Sequence, residues 1–131
     1  MLFRIQPNNG IPIYDQVVRQ VKFGVAAGAI VPGELVPSVR EMAKQLAINP
    51  NTVSRAYRQL QDDQVLEQIR GTGLQVAQDA KKLCRTERSE LVRERLSGVL
   101  SEARRGGLSD EEITKIFHSE LKSLKRDGGE S

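Results

Sequence analysis

Two helix-start signals in close succession, at Ser38 and at Asn49, constrain this chain more than any other feature. Ser38-Val39-Arg40-Glu41 has the form of a capping box: the serine accepts from the Glu41 N–H and the glutamate reaches back. It predicts a short helix burying Val39, Met42, Ala43 and Leu46. Ala47-Ile48-Asn49 breaks that helix, and a second begins at once, with Asn49 as N-cap and Pro50 at the first helical position. Ile48 is placed to staple onto Val53. Val53, Ala56, Tyr57 and Leu60 recur at i, i+3, i+4 and i+7 and face inward. The opposite face carries Asn51, Thr52, Ser54, Arg55, Arg58 and Gln59. Two short helices joined by so tight a turn form a helix-turn-helix unit.

The flanks complete the domain. Residues 11 to 27 read as a helix, with Pro12 in its first turn and Ile13, Val17, Val21 and Val25 as one apolar stripe. Gly28 is a natural stop, and residues 29 to 34 form a loop around Pro32-Gly33. Residues 65 to 69 and 74 to 77 are short apolar runs separated by Arg70-Gly71-Thr72-Gly73. They predict a β-hairpin, which directly after such a pair of helices is a wing. A long helix is expected over 79 to 104, weakened slightly by Gly98. Arg104-Arg105-Gly106-Gly107 ends it. A second capping box, Ser109 to Glu112, opens a final helix, with Leu108 placed to staple onto Ile113. The expected fold is mainly α with a small β-hairpin. A winged helix-turn-helix domain spans 1–77, a two-helix dimerisation segment 78–127 and a disordered tail 128–131.

Composition narrows the function classes. With 131 residues the chain is too short for a large enzyme core, and its 38% hydrophobic and 28% charged content reads as folded. No apolar run approaches the roughly 20 residues of a membrane span. The N-terminus lacks the features of a signal peptide. The single cysteine, Cys84, forms no internal disulfide, and a cytoplasmic location is expected. Net charge is only +3, but no acidic residue lies between Glu41 and Asp62. Residues 77 to 131, with twelve basic and eleven acidic residues, are close to neutral. The basic excess therefore bears on the second helix of the pair, although a solvated helix face would look the same. His118 is a lone helical histidine, Cys84 has no CxxC partner, and Asp110 to Glu112 complement a helix dipole. No catalytic constellation, metal site or cofactor is expected.

Pro12-Ile13-Tyr14, Gly28 to Glu34, Pro37 to Glu41, Asn49 to Tyr57 and Gly71-Thr72-Gly73 together resemble the GntR transcription regulators, in order from residue 11 to 76. The short two-helix tail is similar to the YtrA subfamily, which carries only a small dimerisation segment. The resemblance implies a bacterial transcription regulator, and in this subfamily one that often controls its own operon, frequently encoding an ABC transporter. Val36 stands where the family usually has Leu. Gln64 replaces the usual Gly after the second helix, so a different helix end is expected. Gln75 replaces a common aromatic, and with Gln64 it leaves the wing angle open.

Expected DNA contacts follow from the helix face and the resemblance together. Asn51 and Gln59 suit base edges, Thr52 and Ser54 bases or phosphates, and Arg55 and Arg58 guanine or phosphate. Arg40 resembles the family arginine that reaches a base. Ser38 is placed to hold a phosphate while capping, and Lys44 is a second phosphate candidate. Asn49 is cap and candidate contact at once. Arg70, Gly71 and Thr72 form the wing tip, where Arg70 and Gly71 resemble the family's minor-groove contact. Each has a structural alternative: a cap for Ser38 and Asn49, a solvated side chain for Arg55 and Arg58, turn chemistry for Thr72. Leu91, Leu96, Val99, Leu100, Ile113, Ile116, Phe117, Leu121 and Leu124 form apolar stripes too large to satisfy each other, and imply a homodimer. The partners expected are operator DNA and a second copy. The function expected is repression at a palindromic operator. Two helices are too few to enclose a pocket of about 300–1,000 Å³ within one subunit, so an effector, unidentified, would bind between subunits or domains. The alternative is a winged helix used for structural or protein contact. It calls for apolar residues at 51, 54, 55 and 58, which are Asn, Ser, Arg and Arg.

Overall fold

The computed structural model describes residues 4–7 and 9–128. Its elements are α1 (Ile13–Ala27), α2 (Val39–Leu46), α3 (Pro50–Asp62), β1 (Leu66–Ile69), β2 (Gly73–Val76), α4 (Ala80–Arg105) and α5 (Asp110–Gly128). The fold is mostly helical with a two-stranded antiparallel hairpin, as expected. Two compact units divide the chain, one up to Glu90 and one from Leu91 on.

In the first unit α1 packs on α3, α3 on α2, and the hairpin against the end of α3. The α1 stripe is buried as its spacing demands: Val17, Val21 and Val25 are inaccessible to solvent, while Ile13 at the helix start is half-buried. They meet Val53, Ala56, Tyr57 and Leu60 of α3 and Met42 and Ala43 of α2 in one core. Each fully buried Val, Leu or Met contributes about 1.5–3 kcal/mol. Ala80 and Cys84, in the first turns of α4, belong to this core, so the first unit runs on past residue 77. Burial, and Glu87 beside it, push the Cys84 thiol up to about 11, so it stays neutral packing.

Helix α1 starts at Ile13 rather than 11, because Pro12 is in an extended conformation (ψ 146) and serves as N-cap. All the tight ends in this unit use one device. After α2 the Ile48 N–H bonds the Ala43 carbonyl (3.0 Å) and the Ala47 N–H the Lys44 carbonyl (3.3 Å). After α3 the Val65 N–H bonds the Leu60 carbonyl (2.9 Å) and the Gln64 N–H the Gln61 carbonyl (3.0 Å). These are Schellman pairs, which need a left-handed residue just past the helix. Ala47 (φ 55) and Gln64 (φ 65) supply it without being glycine. The different helix end expected from Gln64 is therefore corrected: burial of Leu60 and Val65 on either side holds the motif and leaves the strain in the glutamine.

The hairpin pairs Leu66 with Val76 and Glu67 with Gln75. β2 begins at Gly73, one residue earlier than expected. Gln75 forms an isolated β-bridge with Leu35, and the Val36 N–H bonds the Leu74 carbonyl at 3.0 Å, so the stretch before α2 is tied to the edge of the hairpin. Gln75 itself donates to Glu67 Oε2 (2.7 Å), a cross-strand polar pair in place of an aromatic.

Polar ties that the sequence reading missed anchor α1. Gln16, 4% exposed, gives its amide NH2 to the carbonyls of Gln6 (2.7 Å) and Ile11 (2.9 Å), and accepts from the Gln6 N–H (2.8 Å). Lys22, 5% exposed, bonds Asp63 at the end of α3 (2.8 Å) and Glu87 of α4 (2.5 Å). Burial opposes its charge, but the two carboxylates together outweigh it and raise its pKa.

In the second unit, the rest of α4 and α5 form a helical hairpin. Gly107 (φ 93) ends α4 with the same Schellman pair, Leu108 to Ala103 and Gly107 to Arg104. Ser109 and Glu112 exchange both bonds of the second capping box (3.0 and 3.2 Å). Gly128, expected to open the tail, is the last residue of α5; the remainder of that tail, 129–131, lies outside the described residues.

Candidate nucleic-acid interface

Helix α2 begins on the predicted capping box: the Glu41 N–H donates to Ser38 Oγ and the Ser38 N–H to Glu41 Oε1, both at 3.1 Å. The bond from the Ser38 backbone N–H, and after it one from the Ser38 side chain, hold the Glu41 carboxyl below its usual range. The Ser38 backbone N–H is thereby occupied. Its hydroxyl accepts from the helix, and the same side chain also hydrogen-bonds the Glu41 carboxylate. Arg40, on the first turn, is exposed.

Helix α3 begins as its sequence dictates, with Pro50 in the first turn and Asn49 Oδ1 accepting from the Asn51 N–H at 2.8 Å. This bond uses the amide oxygen and leaves the NH2 group as donor, so cap and contact are compatible at Asn49. At 100° per residue, Ser54, Arg58, Asn51, Arg55, Gln59 and Thr52 follow one another around one side of the helix. All six are exposed or half-buried, whereas Val53, Ala56, Tyr57 and Leu60 on the other side are buried. Gln59, expected to reach base edges, donates one amide N–H to Asp63 Oδ1 (3.0 Å), which leaves its amide oxygen and second N–H open.

Charge is free on this face. Arg40, Lys44, Arg55, Arg58 and Arg70 make no ion pair among the described residues, unlike Arg19, Lys22 and Arg104, which are paired with carboxylates. The Arg55 guanidinium lies over the Tyr14 ring, 3.7 Å from its centroid. Tyr14, Ile13, Asn51, Thr52 and Arg55 line a shallow open recess between α1 and α3. At the wing tip the Thr72 N–H closes a turn onto the Ile69 carbonyl (3.0 Å), with Gly71 at φ 76. That is the value a type II turn demands at its third residue, and no Cβ stands between the backbone and an approaching ligand. Arg70 and Thr72 are both exposed beside it.

The second unit has an apolar face of its own. Val92, Leu96, Val99 and Leu100 on α4 are 37–54% exposed, and Ile116, Phe117, Leu121 and Leu124 on α5 44–67%. Leu91 and Ile113 are half-buried. Each group falls on one stripe of its helix, and the two helices leave much of that apolar surface uncovered.

A tightly turned helix pair carrying an unpaired basic and amide-rich face, followed by a hairpin wing, defines a winged helix-turn-helix transcription regulator. Comparison with known proteins agrees. Residues 13–76 match the family described as bacterial regulatory proteins, gntR family. The HTH-type transcriptional repressor YtrA of Bacillus subtilis is 32% identical over 126 residues, covering 96% of this chain and 94% of that one. The HTH-type transcriptional regulator YhcF of the same organism is 35% identical over 102 residues, covering 78% of this chain and 84% of that one. Among solved structures, a GntR family transcriptional regulator from Listeria monocytogenes is similar with a TM-score of 0.69 and 28% identity, over 86% of this chain and 97% of that chain. The chain belongs to the GntR family of bacterial transcription regulators.

Proposed function

We propose that this protein is a repressor that binds a palindromic DNA operator as a homodimer. The observation that carries the reading is the α3 face: Asn51, Thr52, Ser54, Arg55 and Arg58 are accessible together, its basic residues have no carboxylate partner among the described residues, and no acidic residue interrupts residues 42–61. Such a face, led into the major groove by its N-terminal end, offers amide and guanidinium donors to base edges and hydroxyls to phosphates. Arg40 joins it from α2 as a base contact. Ser38, Lys44 and Asn49 hold the adjacent backbone. Arg70, Gly71 and Thr72 reach the minor groove.

One such unit covers one half-site, and a two-fold dimer doubles the contacts. The uncovered stripes of Leu91, Leu96, Val99, Leu100, Ile113, Ile116, Phe117, Leu121 and Leu124 support a second copy as the partner, because a soluble regulator rarely leaves so much apolar surface in water. Repression by blocking promoter access fits the name that the YtrA relative bears. The test is recovery of genomic fragments on the purified protein. An inverted repeat with half-site centres about 34–36 Å apart, or a multiple, is expected. Recovery of no common sequence, or of one without two-fold symmetry, contradicts the proposal.

A further inference from the structure

We infer that Tyr14 is a positioning residue for DNA readout, holding the Arg55 guanidinium in place before DNA arrives. The inference rests on the reading above, in which α3 enters the major groove. Arg55 Cζ sits 3.7 Å from the centre of the Tyr14 ring. Tyr14 lies in the first turn of α1 and packs partly against the core, so its ring is a fixed platform rather than a mobile surface group. Arg55 is exposed and has no carboxylate partner among the described residues, which makes the ring its anchor.

Stacking engages the flat face of a guanidinium and leaves its edge open. All five N–H donors remain available for a guanine edge or a phosphate. An arginine free in water must give up rotamer freedom when it binds, whereas one already stacked has surrendered part of it on folding. The recess around the stack is also lined by Asn51 and Thr52, so the edge of Arg55 is presented beside the other candidate readers at the start of α3. Tyr14 thereby links α1, otherwise only a brace, to recognition.

The test uses the full-length protein and a labelled duplex carrying the inverted repeat recovered from the genome, with a scrambled duplex as control. Affinities are measured by fluorescence anisotropy for Tyr14→Phe, Tyr14→Leu, Arg55→Ala and the Tyr14→Leu/Arg55→Ala pair, each checked for its unfolding midpoint. Tyr14→Phe keeps both ring and packing, and binds within about twofold of the unsubstituted protein. Tyr14→Leu keeps bulk but not the ring face, and loses about three- to tenfold on the specific duplex. It loses little more once Arg55 is already alanine. Equal losses for Tyr14→Phe and Tyr14→Leu would assign the effect to the hydroxyl and overturn the inference. So would independent, additive losses at Tyr14 and Arg55. If Arg55→Ala weakens binding and Tyr14→Leu does not, only the positioning role falls; if Arg55→Ala binds normally, the assignment of Arg55 to DNA falls with it.

Discussion

The Tyr57 hydroxyl donates a 2.8 Å hydrogen bond to the carbonyl oxygen of Pro37, twenty residues earlier in the chain. Tyr57 is 3% exposed, and burial, with Glu41 nearby, raises its pKa, so the phenol keeps the proton it donates. The bond pins the residue before the Ser38 cap to the middle of α3. With the shared core of the two helices, this contact fixes where the α2 N-terminus stands relative to the α3 face. Tyr57→Phe is expected to keep the fold and cost about 0.5–1.5 kcal/mol. Urea unfolding measures it, and an unchanged midpoint would show that the bond contributes nothing.

Lys22 ties three helices together through Asp63 and Glu87. Lys22→Met leaves two carboxylates facing each other without their cation. Because those carboxylates are 26% and 36% exposed, the full penalty for a broken buried pair does not apply, and about 1–3 kcal/mol is expected. The sign of the pH effect follows from the raised pKa. The stabilisation is complete below the unfolded value of 10.5 and is lost as pH rises through the higher folded value. The gap in stability between the original protein and Lys22→Met should persist through neutral pH and narrow in that alkaline range. A gap that closes near neutral pH would refute the ion-pair account.

Gln64 and Ala47 both occupy left-handed backbone that glycine adopts without strain. Gln64→Gly removes that strain but frees the unfolded chain, so a net gain of up to about 1 kcal/mol is expected. Thermal unfolding reads it directly. A clear destabilisation would mean that the glutamine side chain makes a stabilising contact outweighing its backbone strain.

Phe117 and Leu121, 44% and 51% exposed, lie on the uncovered stripe of α5. Replacing both by Glu should leave each subunit folded, since neither belongs to the core of the first unit. Light scattering at micromolar concentration is expected to show a dimer for the original protein and a monomer for the variant. A monomer in both cases rules out the dimer.

What the sequence made legible was local. Both capping boxes, the Asn49-Pro50 start and the apolar periods of α1 and α3 depend on residues within one or two turns, and they appear where expected. Contacts between distant segments were not legible. Lys22 meets partners 41 and 65 positions away, and no short pattern marks either of them. Leu35 reads as loop, yet it pairs with Gln75 once the hairpin folds beside it. The helix end at Gln64 differs from expectation for a related reason. Its own preference argues against a left-handed conformation, but the burial of Leu60 and Val65 overrides that preference. The candidate site was legible as a set of residue types on one helix face. The capture of Gln59 by Asp63 and of Arg55 by Tyr14 was not, because each depends on where a side chain settles.

Arg40 is the side chain at which reading of DNA sequence by the faces of α2 and α3 can be measured. Arg40 is exposed, forms no ion pair among the described residues and stands in the first turn of α2, so Arg40→Ala should leave the fold intact. Anisotropy titrations of both proteins should be run on the recovered inverted repeat and on a scrambled duplex at one fixed salt concentration. A base-reading arginine predicts a loss of about 1–3 kcal/mol on the repeat and a much smaller one on the scrambled duplex. Unchanged affinity for the repeat, or equal losses on both duplexes, would contradict sequence reading by this residue.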